Sequence, residues 1–165
     1  MSSLMMEYLQ GRGVTFVVIP HADDAPEHIG PTTFSPDDVV KTVVLVTTLG
    51  HALCVIPDDR DLELELATAA VRDAEARPAT AAELERSFPD YEPGAVPPLG
   101  LFFLAPMYVD PAVIDKPSVV FRAGRHSVSI AMSTKALFRD DPIVITPLTR
   151  ETADAEADVR RLPPR

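Results

Sequence analysis

Cys54 is the only cysteine in this 165-residue chain. That excludes a disulfide framework and any cysteine-based zinc site. Its apolar neighbours Ala52, Leu53, Val55 and Ile56 mark it as a buried structural thiol rather than a nucleophile. Long hydrophobic runs are missing as well, so no membrane-spanning helix is expected. No basic segment followed by an apolar run opens the chain, which argues against a signal peptide. A soluble, reducing, cytoplasmic setting is the resulting expectation. Positive charge is also in short supply: the net charge of −10 argues against a general nucleic-acid binder, and against DNA in particular.

What is present is an apolar fraction of 46% with 6% aromatics, the composition of a globular chain. Its length suits one domain with a sizeable core. We assign residues 1–148 to that domain and residues 149–165, mixed in charge and ending Leu162-Pro163-Pro164-Arg165, to a C-terminal tail. The charge is unevenly spread: residues 1–90 carry 6 Lys/Arg against 16 Asp/Glu, whereas residues 91–165 carry 9 of each. Between Lys116 and Arg139 lie five cations (Lys116, Arg122, Arg125, Lys135 and Arg139) and no carboxylate. This stretch reads either as a solvated cationic face or as a local contact for an anionic partner.

The pattern along the chain predicts hairpins with helices interspersed, hence a mixed α+β fold. Leu4, Met5, Tyr8 and Leu9 share a helical stripe closed by Gly11 and Gly13, and Val14–Ile19 reads as a strand stopped by Pro20. Residues 21–36 are turn-like, ending at Ser35-Pro36, an N-cap followed by proline. Val39–Thr47 is the strongest strand, returning through Gly50 into His51–Ile56. Leu62 to Val71 suits a helix, a short strand follows near Ala74–Pro78, and Thr80-Ala81-Ala82-Glu83 is a capping box for the next helix. Leu101–Leu104 and Met107–Val109 suggest strands broken by Pro106 and Pro111. Pro117–Phe121 and Ser127–Met132 suggest a hairpin about Ala123-Gly124-Arg125, and Ser133 caps a last helix through Phe138.

Two features stand out from this background. The stretch Asp90–Gly100 packs Gly94, Gly100, Pro93, Pro97 and Pro98 into eleven positions. Prolines fix φ and glycine permits φ > 0, so the loop is stiff and shaped, suited to holding backbone groups beside a small ligand; an ordinary connecting loop is the plainer alternative. Lys41 interrupts a strand otherwise built of Val, Leu and Thr, where it either snorkels to solvent or stands at a pocket rim to meet an anionic or carbonyl group. Among the histidines, His21 ends a strand where it can line a pocket. His126 lies in a basic hairpin turn as a phosphate contact or an exposed residue, and His51 reads as a hairpin surface residue. His21, Asp23, Asp24, Glu27 and His28 are metal-capable, but no regular element fixes their spacing, and no metal is expected.

Val40-Lys41-Thr42-Val43, the Gly94-x-x-x-Pro98 loop, Ala79-Thr80, Asp90 and Phe121-x-Ala123-Gly124-x-His126 fall in an order that resembles the YbaK/ProX family of aminoacyl-tRNA deacylases, stand-alone type, from about Glu7 to Arg139. The resemblance implies a bent β-sheet core with flanking helices and a pocket for the charged 3′ end of tRNA. Within it Lys41, Gly94 and Pro98 are the implied catalytic residues. His21, Thr42, Val96, Pro97, Leu99, Gly100 and His126 are implied to bind substrate. Lys41 would place the terminal nucleotide or its phosphate, and the Gly94–Pro98 backbone would orient the ester carbonyl. Attack would be water- or substrate-assisted, without cofactor, metal or protein nucleophile. The implied partner is the acceptor end of aminoacyl-tRNA, with a synthetase as a second one.

The chain departs from that pattern twice. Pro26–Phe34 is poorly suited to the helix that family members often carry there, and Ser133-Thr134-Lys135-Ala136 lacks an acidic residue found in some of them. These departures motivate an alternative from another class: a non-catalytic module of the same fold that binds aminoacyl-adenosine or a free amino acid, or partners a synthetase.

Overall fold

A computed structural model describes residues 3–21 and 35–150 of the chain. In chain order it runs α1 (Ser3–Gly11), β1 (Phe16–Pro20), a single 3-10 turn (Pro36–Asp38), β2 (Val40–Thr47), β3 (Gly50–Pro57), α2 (Leu64–Val71), β4 (Arg77–Pro78) and α3 (Ala81–Ser87). It continues with α4 (Gly100–Phe103), β5 (Met107–Val109), α5 (Pro111–Ile114), β6 (Ser118–Arg125), β7 (Val128–Ser133), α6 (Thr134–Phe138) and β8 (Ile143–Ile145). The fold is mixed α+β, as the pattern predicts.

The sheet is divided in two. One part has the order β1-β7-β6, all antiparallel. The other has the order β4-β2-β3-β5-β8, antiparallel around β2 and parallel from β3 through β5 to β8. Among the described residues a single parallel bridge, Val39 to Val120, joins the two. Strand alternation then decides where the apolar faces go. Val40, Val44, Leu53 and Val55 on one sheet meet Val119, Phe121, Ile130 and Met132 on the other in the principal core, closed by Met5 and Leu9 of α1. The opposite face of β2–β3 buries Leu45, Ala52, Cys54 and Ile56 under Ala67 of α2 and Leu148. Cys54 has no exposed surface, and burial pushes its thiol up to about 12. It is therefore a packing residue.

Local chemistry accounts for most helix ends. Ser35 accepts from the Asp37 amide with Pro36 at the first helical position. Thr80 and Glu83 form the expected capping box on α3, and Arg77 grips the same Glu83 carboxylate at 2.7 and 3.0 Å. Ser133 caps α6 by accepting from Ala136.

Two expectations are overturned: the β6–β7 turn falls at His126–Ser127, because an irregularity between Arg122 and Arg125 lets β6 run on through Ala123-Gly124-Arg125, and Leu101–Leu104 is not a strand but belongs to α4 and its cap. A run of four apolar residues has no readable period. Tertiary contacts decide it, because Phe102 packs on Tyr8 at 5.3 Å and Phe103 on Phe88 and Tyr91 at 5.2 and 5.1 Å between ring centres. α5 and β8 were not foreseen either. Asp110 caps α5 by accepting from Ala112, with Pro111 at the first position, so the proline that ends β5 also starts a helix.

The Asp110 carboxylate is 3% exposed, and its second oxygen accepts from the amides of Leu148 and Thr149 and from the Thr149 hydroxyl. The chain is thus held to the body through Thr149. No helix among the described residues is long and apolar enough to cross a membrane.

Candidate functional site

From the Val39–Val120 bridge, β2 and β6 start out side by side and then part. β2 goes on to pair Leu45 and Val46 with β4. β6 goes on to Gly124, whose amide donates to the Ala95 carbonyl (2.8 Å) and whose carbonyl accepts from the Glu92 amide (2.8 Å). Residues 92–95 therefore take up the edge of β6 that β2 has left. The proline–glycine loop is wedged where the two sheets diverge.

Two glycines make that fit possible. Gly124 has φ +90°, and a Cβ there would lie 3.1 Å from the Tyr91 ring. Gly94 has φ +86°, and a Cβ there would lie 3.2 Å from Cε1 of His126. The half-buried His126 ring donates from Nε2 to the Pro93 carbonyl at 2.7 Å and so braces the loop next to Gly94. Gly94 itself is exposed, whereas residues 95–100 are buried. Val96 and Leu99 are part of the principal core, and Pro97, Pro98 and Gly100 are buried with them, so these five root the loop. His51 is half-buried with its ring 5.3 Å from that of Phe88, away from this junction.

Lys41 pairs with Ile56 and is half-buried. Alternation puts it on the face opposite Val40, Thr42 and Val44, together with Val39. Across the bridge the same face carries Val120 and Arg122 of β6, and from Arg122 the register passes to Ser129 of β7 and Ile19 of β1. His21, just past β1, bonds Ser129 between Nε2 and Oγ at 2.7 Å, and its amide donates to the Ser127 carbonyl at 2.9 Å. Lys41, Arg122, Ser129 and His21 thus form one polar row across the junction. Arg122 has a side chain 14% exposed and faces Asp58 at 3.5 Å, while the Asp58 amide donates to the Val39 carbonyl at 3.0 Å. Lys41 has no such counter-charge among the described residues.

Thr42, on the opposite face, is buried with its hydroxyl unpartnered among the described residues. The predicted residues accordingly divide. Lys41 and His21 share the row, Gly94 and His126 form the loop tip, and Thr42, Val96 and Leu99 lie on the core side.

Arg122, Ser129 and Asp58 are additions that sequence reasoning missed as site residues. Arg122 was visible only as one of five cations in a carboxylate-free stretch, and that stretch is not one face. Lys116 donates to the Asp37 carbonyl, and Arg139 holds Asp140 at 3.1 Å. Arg125 lies at the opposite end of the β6–β7 hairpin from Lys116 and Lys135. Among the described residues no group of three or more His, Cys, Asp or Glu is arranged to hold a metal. Apart from His21, the metal-capable cluster and the departure at residues 26–34 lie outside the described residues.

The architecture and its junction define an α+β domain with a proline–glycine loop and two cations, Lys41 and Arg122, at the parting of two sheets. The model of the aminoacyl-tRNA editing domain matches residues 19–139, and the chain belongs to that family. No protein of curated function matches the sequence. Among solved structures the chain is similar to that of hypothetical protein APE2540, with a TM-score of 0.76 and 22% identity over 90% of this chain and 100% of the other. It is similar as well to a structure described as a candidate trans-editing enzyme for prolyl tRNA synthetase, with a TM-score of 0.75 and 22% identity over 92% and 99%. A third likeness is to a candidate signal transduction protein from Marinobacter aquaeolei VT8, with a TM-score of 0.70 and 13% identity over 93% of this chain but 32% of the other. At these identities the likenesses establish the fold.

Proposed function

We propose that this chain is a trans-editing deacylase that hydrolyses the ester between a wrongly attached amino acid and the terminal ribose of tRNA. The observation that supports the reading best is Lys41. It is a cation without a counter-charge among the described residues, on a strand where apolar residues are the rule, and it lies in line with Arg122 beside the loop, all inside the matched family region. Phosphate of the acceptor end binds Lys41 and draws Arg122 from Asp58. The exposed Gly94 backbone then sets the ester carbonyl. Water adds to that carbonyl carbon, the tetrahedral intermediate expels the ribose oxygen, which takes up a proton, and free amino acid and tRNA leave. The protein's part is orientation and charge placement, which suffice for a large share of such a barrier. The work is assigned to residues 1–148 and to the cytoplasm, with the acceptor end of aminoacyl-tRNA as partner. The prolyl tRNA synthetase named for one similar structure makes a synthetase the second partner to test.

The test is amino-acid release from tRNAs charged with Ala, Ser, Thr or Cys, wild type beside Lys41→Ala. Release from one or two of them that falls about 100-fold or more in the variant, with the fold intact, is the expected result. The lack of a carboxylate in Ser133-Thr134-Lys135-Ala136, at the start of α6, favours the second reading, a binding module. Tight binding of a non-hydrolysable aminoacyl-adenosine with no release from any tRNA would establish that instead.

A further inference from the structure

Asp58 enters the junction from the turn after β3, and hydrogen bonds fix its place there. The pairing of Lys41 with Ile56 and of Val40 with Pro57 continues one step past the strand, where the Asp58 amide donates to the Val39 carbonyl at 3.0 Å. The Arg60 amide closes the turn on the Pro57 carbonyl at 3.2 Å. Alternation then puts Asp58 on the face of Lys41, diagonal to it across the β2–β3 pair, where long side chains meet. Its contact with Arg122 of β6, which shares that face, agrees with this placement.

The pair with Arg122 is open to exchange. The nearest nitrogen and oxygen stand 3.5 Å apart, whereas a closed charge-assisted bond measures about 2.8 Å. The side chains differ in exposure, 14% for Arg122 and 35% for Asp58, so a ligand reaches the carboxylate first. The levels along β6 say which group of the ligand that is. The loop docks at Gly124, Arg122 lies between the loop and the bridge at Val120, and Asp58 stands opposite Val39, level with that bridge. With the ester at the Gly94 tip and phosphate on Lys41 and Arg122, Asp58 is left on the far side of that phosphate. There the acceptor end presents the ribose of the preceding nucleotide, whose 2′-hydroxyl sits on the carbon next to the one that carries the phosphate. A carboxylate repels the phosphate itself and accepts from a hydroxyl, and the 2′-hydroxyl is the donor that separates RNA from DNA.

Building on Lys41 and Arg122 as the phosphate contacts of the deacylase reading, we propose that Asp58 accepts a hydrogen bond from the 2′-hydroxyl of the nucleotide preceding the terminal one. It thereby selects an RNA end over a DNA end. Arg122 exchanges the carboxylate for the phosphate, and the carboxylate exchanges Arg122 for the hydroxyl, so neither charge is left without a partner. An acidic protein with few cations gains in this way a means of choosing its polymer without a large basic surface.

Titration of the full chain with the RNA trinucleotide CCA tests this, beside the same trinucleotide with 2′-deoxycytidine or 2′-O-methylcytidine in the middle. Binding is read from amide shifts in two-dimensional NMR at low salt. The wild type should bind CCA about tenfold more tightly than either modified form. Asp58→Ala, which also frees Arg122 for phosphate, should still bind CCA but hold all three forms within about twofold of one another. Equal binding of CCA and its middle-deoxy form by the wild type would overturn the proposal, and that comparison stands even if Asp58→Ala fails to fold. Discrimination that survives in Asp58→Ala, or no saturable shift with any form by either folded protein, would overturn it too. Amino-acid release from charged tRNA is scored separately. Release without discrimination keeps the deacylase and removes the Asp58 contact, and discrimination without release does the reverse.

Discussion

At the scale of the residue, the site depends on backbone positions that only glycine takes without strain. Gly94 combines φ +86° with a Cβ direction that meets His126 at 3.2 Å. Gly94→Ala should therefore cost about 1–2 kcal/mol of stability from the left-handed conformation alone. It should also lower deacylation at least tenfold by displacing the loop tip, a loss comparable to that of a modest misplacement elsewhere in an active site. Urea unfolding and single-turnover release measured on the same preparation separate the two effects. Asp110 is the structural counterpart. Removing its carboxylate in Asp110→Ala strands the buried amides of Leu148 and Thr149 and the part-buried amide of Ala112 and should cost about 3 kcal/mol, read as a lower urea midpoint with an unchanged slope.

At the scale of the element, the legible parts of the chain are those whose signal lies within a few residues. The Thr80–Glu83 capping box, the Gly50 hairpin and the Ser133 cap depend on neighbours three or four positions away, and all three stand as read. α4 was misread because Leu101–Leu104 offers no period, and its helix is imposed by rings from α1, from the end of α3 and from the loop. α3 also carries a pH prediction. Its Glu83 is held at about 2, chiefly by the hydrogen bonds from Arg77 and then by the Thr80 amide. A depressed folded pKa stabilises the fold above the unfolded value near 4.5, and the benefit is lost as pH falls from there toward 2. The pair is exposed, so the effect is small and weakened by salt. Glu83→Gln should flatten that part of the stability–pH curve. An unchanged curve would mean the pair contributes nothing.

At the scale of the whole molecule, an acidic protein that presents two cations at one junction should recognise its partner weakly and locally. With Lys41 and Arg122 as the phosphate contacts, log K for a single-stranded acceptor-end oligonucleotide should fall against log salt with a slope of about −1.4, and Lys41→Ala should lower its magnitude by about 0.7. A slope several times steeper would mean that the scattered cations Arg125, Lys135 and Arg139 also bind phosphate.

The sequence by itself determined the α+β class, the β2–β3 hairpin, the capped helices α3 and α6 and the two features the site is built on, an out-of-place lysine and a stiff proline–glycine loop. Those are local facts: alternation, cap chemistry and φ restriction act within one or two turns of chain. Only the tertiary structure decided that Lys41 is aligned with Arg122, and that the loop fills the edge of β6 that β2 abandons. Those relations rest on the single bridge between Val39 and Val120 and on the register it sets. Pairing between strands far apart in sequence is selected by how both faces of two sheets are buried at once, and no local pattern encodes that choice.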